Sequence, residues 1–115
     1  MADEGLAEKK TFTYEQAVAL LPEVRRITEE ASQAVEQVAE ALQRRGASEE
    51  TIREQVDRVV MAWARALMAR GLEVKGLWLV DFDNGSGYYC WRYPETSLQF
   101  FHSYEDGFRG RVSIQ

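Results

Sequence analysis

The sequence predicts an α+β domain: a long antiparallel helical hairpin packed on a three-stranded antiparallel β-meander. Three observations carry this. Ten of the 13 aromatic residues follow Leu72, and none lies between Glu15 and Ala62. Before Gly71, apolar residues recur in steps of three and four, the period of a helix with one buried face. After Leu72 the period falls to two and β-branched and aromatic residues dominate, with turn-forming residues between the runs.

Residues 1–10 are charged, small and aperiodic, which predicts a disordered tail over 1–11 and a single domain over 12–115. Within it the hairpin is expected over 13–71, and the meander with a C-terminal loop over 72–115. Thr13 with Gln16 three residues on forms a capping-box pattern, and Phe12 stands where it can staple Ala17 or Val18. The stripe then runs through Ala17, Leu20, Leu21, Val24, Ile27, Ala31, Val35, Val38 and Leu42. Pro22 lies inside it, where the missing N–H and the ring predict a kink or break. Arg44 and Arg45 suit a helix C-terminus, Gly46 suits the residue beyond it, and Ser48 suits the next N-cap. The second stripe, Ile52, Val56, Val59, Val60, Trp63 and Leu67, ends near Arg70-Gly71. So short a connection makes the helices antiparallel.

Three strands are expected, over 74–82, 88–93 and 98–103. Asn84-Gly85 reads as a two-residue hairpin turn, pairing Val80 with Tyr89 and Trp78 with Trp91. Pro94–Ser97 reads as a four-residue turn, pairing Trp91 with Phe100 and Tyr89 with His102. One face then carries Trp78, Val80, Phe82, Tyr89, Trp91, Tyr93, Leu98, Phe100 and His102, and should meet the helices. Asp81, Cys90 and Arg92 fall on the other. The last residues, with Gly107 and Gly110, read as a loop returning over the sheet, anchored by Phe108.

Composition narrows the function classes. With 14 basic and 19 acidic residues the formal charge is −5, unlike a generic nucleic-acid or anionic-membrane binder. No apolar run approaches the ~20 residues of a membrane span, and no signal peptide is visible. A lone Cys90 leaves no internal disulfide and no cysteine-based zinc motif, so the cytoplasm is the expected compartment.

A length mismatch bears on assembly. The helix from Pro22 would span roughly 35 Å at ~1.5 Å per residue, whereas six-residue strands cover about 20 Å. One small sheet cannot cover that stripe, which predicts a homodimer through the hairpin.

Phe12-Thr-Tyr-Glu-Gln-Ala17, followed by Leu20-Leu-Pro-Glu-Val24, resembles the opening of the domain of unknown function 2203 family. Val80-Asp-Phe82, Cys90-Trp-Arg92, the Pro-Glu turn at Glu95, His102 and Asp106-Gly-Phe-Arg-Gly-Arg111 resemble its second half, so the likeness spans roughly residues 12–112. Where the family usually has Trp-His-Glu, this chain reads Phe101-His102-Ser103, with no carboxylate beside the histidine. The resemblance implies a fold and a candidate site rather than a reaction.

His102, the one histidine, is a ligand or acid–base candidate with Asp81, Asp83, Glu95, Glu105 or Asp106 as partner, or else a packed residue at the sheet edge. Cys90, on the opposite face in this register, is read as a packed strand thiol. Asp81 and Arg92 suggest a cross-strand ion pair; Arg92, Arg109 and Arg111 alternatively suggest a clamp for a small anion. No catalytic set, metal set or cofactor is assigned. The leading expectation is a non-enzymatic homo-oligomeric interaction or scaffold module. The alternative is a small-ligand- or metal-binding protein, hydrolase included, with its site around His102, Asp106 and Arg111.

Overall fold

The structure, a computed structural model, describes residues 10–114. Residues 1–9 of the expected tail, and Gln115, lie outside the described residues. Two helices, α1 (Tyr14–Arg44) and α2 (Glu49–Met68), precede five strands: β1 (Glu73–Gly76), β2 (Leu79–Asp83), β3 (Gly87–Arg92), β4 (Phe100–Ser103) and β5 (Val112–Ser113). The strands form one antiparallel sheet in sequential order.

The helix ends follow local chemistry. The Gln16 N–H donates to Thr13 Oγ1 at 3.0 Å, and the Thr13 N–H donates to Gln16 Oε1 at 2.9 Å, closing the capping box. Phe12 is buried edge-on against Phe82, at 5.6 Å between ring centroids. At the other end Gly46 takes φ +78°, its N–H reaching the Gln43 carbonyl and that of Ala47 the Leu42 carbonyl, a Schellman ending. Ser48 caps α2 through the Thr51 N–H. The break expected at Pro22 is absent: α1 continues through it as one 31-residue helix. The ring sits on an exposed position near the N-terminus, where the long stripe on both sides of it is held by the core.

That core joins Ala17, Leu21 and Val24 of α1, Trp63 and Leu67 of α2, and Val80, Phe82, Trp91 and Leu98 of the sheet side. The faces expected for β2 and β3 are therefore the ones observed, although the register is two residues off: Val80 pairs with Trp91 and Phe82 with Tyr89. The turn centres on Gly85-Ser86 instead of Asn84-Gly85. Asn84 Oδ1 accepts the N–H groups of Ser86 and Gly87, and Gly85 takes φ +94°. A slip of two preserves the faces.

Three expectations fail. The stretch 74–82 is two strands, not one, because the chain reverses at Leu77-Trp78. Trp78 has φ +61°, a backbone conformation costing roughly 1–2 kcal/mol for an L-residue. Its ring packs edge-on against Trp63 at 4.9 Å, an anchor that offsets this. The C-terminal segment is not only a loop: Val112 pairs with Phe101 and Ser113 with Phe100, making an edge strand. The sheet thus has five strands rather than three.

The third failure moves the site. Between β3 and β4 the chain uses Tyr93–Gln99, an odd-length loop, where the expected turn was even. Leu98, expected to open the strand, is instead a buried loop residue in the core. Tyr88 therefore pairs with His102 and Cys90 with Phe100. A one-residue change of register reverses β4, so His102 leaves the helix-facing side and joins Cys90.

One buried polar contact ties the helices together: the Trp63 indole N–H donates to Thr28 Oγ1 at 2.8 Å. Replacing Thr28 with Val keeps the volume and removes the acceptor. Urea unfolding of Thr28→Val should show a loss of about 1–3 kcal/mol.

Candidate functional site

The face of the sheet turned away from the helices carries a buried polar cluster. Asp81 lies directly opposite Cys90 across the β2–β3 pair, and Tyr88, two residues from Cys90, lies opposite His102. Strand alternation puts all four on one face. Asp81, Cys90 and His102 are 1%, 0% and 4% exposed, and a donor atom from each lies within 4.8 Å of the other two.

Hydrogen bonding fixes how the imidazole is used. His102 Nδ1 lies 2.8 Å from the Ser103 carbonyl oxygen, which only accepts, so Nδ1 carries the proton and donates. Nε2 faces Asp81 Oδ2 at 3.0 Å. Whatever lies between that nitrogen and a carboxylate oxygen must be positive: a proton or a metal ion. Asp81 Oδ1 is buried and has no hydrogen-bond partner among the described residues, a costly state for a carboxylate oxygen.

Two cations flank the cluster. Lys75 Nζ stands 3.6 Å from Asp81 Oδ2 and 3.5 Å from Glu73 Oε1, 4.1 Å above the centre of the Tyr88 ring. Burial works against its charge, but the charges of Asp81 and Glu73 outweigh that and raise its pKa. The Tyr88 hydroxyl donates to Glu73 Oε1 at 3.1 Å; burial and that bond raise the phenol's pKa. On the other side Arg111 grips Glu95 with two bonds of 3.2 and 2.8 Å. Its guanidinium lies over Phe100 and Phe108, with Nη1 4.0 Å from Cys90 Sγ. Burial, then the neighbouring Asp81 charge, push the Cys90 thiol up to about 12, Arg111 opposing only in part.

The site residues expected from sequence divide accordingly. His102 and Asp81 are together, and Arg111 borders them. Asp106 is exposed, accepting from the Ser103 hydroxyl at 3.0 Å, and Arg109 is exposed too. The cross-strand pair of Asp81 with Arg92 does not form: Arg92 lies opposite Leu79, and Lys75 takes its place beside Asp81. Arg92 is exposed with its guanidinium 5.6 Å from the Phe108 ring centre. Cys90 is the residue that sequence reasoning set on the wrong side of His102. The signal that would have corrected it is the parity of the 93–99 loop.

Three donor atoms converge here. A nucleophilic relay would instead use both imidazole nitrogens, one on an acid and one on the thiol. Nδ1 is already committed to a backbone carbonyl, so the cluster has the shape of a common centre.

The uncovered part of the hairpin is the other candidate surface. Beyond Thr28 on α1, and before Trp63 on α2, no helical residue is buried. Ala31, Val35, Val38 and Leu42 of α1 and Ile52, Val56, Val59 and Val60 of α2 are only half-buried.

Fold and site together define an α+β protein with a helical hairpin over an antiparallel sheet whose outer face buries an Asp–Cys–His cluster. The chain belongs to the uncharacterised conserved protein family DUF2203, whose profile matches residues 10–114. No curated protein and no solved structure matches it.

A thiol raised to about 12 should be a poor nucleophile in the metal-free protein. Alkylation of Cys90 near pH 8 should run at least ~100-fold slower than for a free thiol. Because the folded value lies above the ordinary 9.0, this group's contribution is present below that pH and lost as pH rises toward 12. Stability should therefore fall less steeply with rising alkaline pH in Cys90→Ala than in the natural chain, as read by urea midpoints.

Proposed function

We propose that the protein is a non-enzymatic, homo-oligomeric interaction module whose dimer forms through the distal half of the helical hairpin. The observation behind this is the end of burial at Thr28 and Trp63. The rest of α1, Glu29 to Arg44, extends roughly 24 Å at ~1.5 Å per residue. It carries an aliphatic stripe that the sheet does not reach. An apolar stripe of that length on a 115-residue chain calls for a partner.

A second copy suits this face. A groove where the stripe meets the core is lined by Ile27, Ala31, Val59, Ala62, Trp63 and Ala66, with Glu30 and Arg58 beside them. Small side chains let another helix approach closely. In a two-fold interface each patch meets itself, so both signs of charge on one rim give complementary pairs: Glu30 of one copy beside Arg58 of the other. Two hairpins then make a four-helix arrangement. No helix is long and apolar enough to cross a membrane among the described residues. We assign the module to the cytoplasm, with which the buried free thiol of Cys90 is compatible.

Sedimentation at micromolar concentration should give the mass of a dimer. Val59→Glu, placing a charge on the half-buried stripe, should weaken dimerisation at least ~10-fold with little loss of helix by circular dichroism. A natural chain that sediments as a monomer would overturn the reading.

A further inference from the structure

We propose that Asp81, Cys90 and His102 form a binding centre for a divalent transition-metal ion of the zinc or cobalt kind. Such a centre is independent of the hairpin dimer. Convergence and an unmet need together point to it. A carboxylate oxygen, a thiol sulfur and an imidazole nitrogen lie within 4.8 Å of one another on a buried face. Asp81 Oδ1, in that same buried group, has no hydrogen-bond partner among the described residues.

The separation of Asp81 and His102 suits such an ion, and Cys90 Sγ, within 4.8 Å of both, would close in on binding. Tetrahedral zinc with its usual bond lengths sets neighbouring ligand atoms ~3.3–3.6 Å apart. Asp81 Oδ2 and His102 Nε2 at 3.0 Å need part by only a few tenths of an ångström. The imidazole is already oriented for ligation. Its Nδ1–H is held by the Ser103 carbonyl, leaving Nε2 to coordinate, the usual outer support of a ligating histidine. One oxygen, one nitrogen and one sulfur donor favour a borderline-soft ion over calcium or magnesium. Charge balances as well. On binding, the Cys90 S–H bond breaks and its proton leaves to solvent, as does the proton between His102 and Asp81. A thiolate and a carboxylate then neutralise the two positive charges of the metal, while Lys75 and Arg111 keep Glu73 and Glu95 as counter-ions. Three protein ligands would leave a fourth position for water or another ligand.

The test uses tag-free full-length protein stripped with a chelator and titrated with Co²⁺. One equivalent should bind and produce the near-ultraviolet thiolate-to-cobalt absorption. Zn²⁺ should displace the Co²⁺ and raise the thermal midpoint; Mg²⁺ and Ca²⁺ should do neither. Cys90→Ser should abolish the thiolate band, and His102→Gln and Asp81→Asn should each weaken binding at least ~10-fold. Circular dichroism of each metal-free variant checks its fold. Folded natural protein that gives no thiolate band overturns the proposal even if every variant fails to fold. So does a band that survives in Cys90→Ser.

Discussion

A carboxylate with almost no exposed surface is expensive to bury, and Asp81 sits in the middle of β2, an interior strand, flanked by Val80 and Phe82 of the core. Pleating sends those two neighbours toward the helices and forces Asp81 to the other face, where the described residues place no second layer of α-helices. The side chains of that face then have to solve its electrostatics. His102 supplies Nε2, Lys75 an ammonium, and Tyr88 supports Lys75 both as a ring beneath it and as a shared contact of Glu73. Even the extra hairpin at Leu77-Trp78 fits this constraint, since it brings β1 alongside β2 and sets Glu73 opposite Asp81.

The far side of the same face is closed differently. Arg111 is stacked on Phe100 and Phe108 and bonded to Glu95, so one side chain joins the 93–99 loop, β4 and the segment leading into β5. This accounts for the run from Asp106 to Arg111. A Cβ on Gly110 would come within 2.7 Å of Asp106 Cβ, so the tight turn requires glycine there. Phe108 is the platform for the guanidinium. Asp106 bonds back to Ser103, and its role in this arrangement is to shape the turn. Of the three arginines that look like an anion clamp in the sequence, Arg111 is held by Glu95, Phe100 and Phe108 at the C-terminal edge, while Arg92 and Arg109 are exposed.

The helices were legible because their signals are local: the Thr13–Gln16 box, Gly46, Ser48 and a stripe of one period. The faces of β2 and β3 were legible because alternation survives a register slip of two. What was not legible depends on parity. Whether His102 meets Trp91 or Cys90 turns on one residue in the 93–99 loop. That loop is set by contacts distant in kind from turn propensity: the Trp91 indole N–H donating to the Glu95 carbonyl, and Leu98 filling the core. Trp78 adopts a conformation that its residue type disfavours because Trp63, remote in sequence, holds its ring. No local reading of Leu77-Trp78 contains that information.

The Asp–Cys–His cluster and the core on which the proximal hairpin rests lie on opposite sides of the sheet and share its strands. Trp91 and Val80 are core residues that belong to the same β2–β3 pair as Cys90 and Asp81. A centre that tightens Asp81 against Cys90 therefore stiffens the platform on which the proximal hairpin rests. The distal hairpin is different. Its stripe lies beyond the last buried helical residues, Thr28 and Trp63, and only its first residues, such as Ala31 and Val60, pack against the core. A metal bound at the sheet would then raise the stability of the domain without changing any association through the distal hairpin. Coupling between sites needs an element with two arrangements that both can bias, and what lies between these two is a packed core with the buried Thr28–Trp63 bond at its edge.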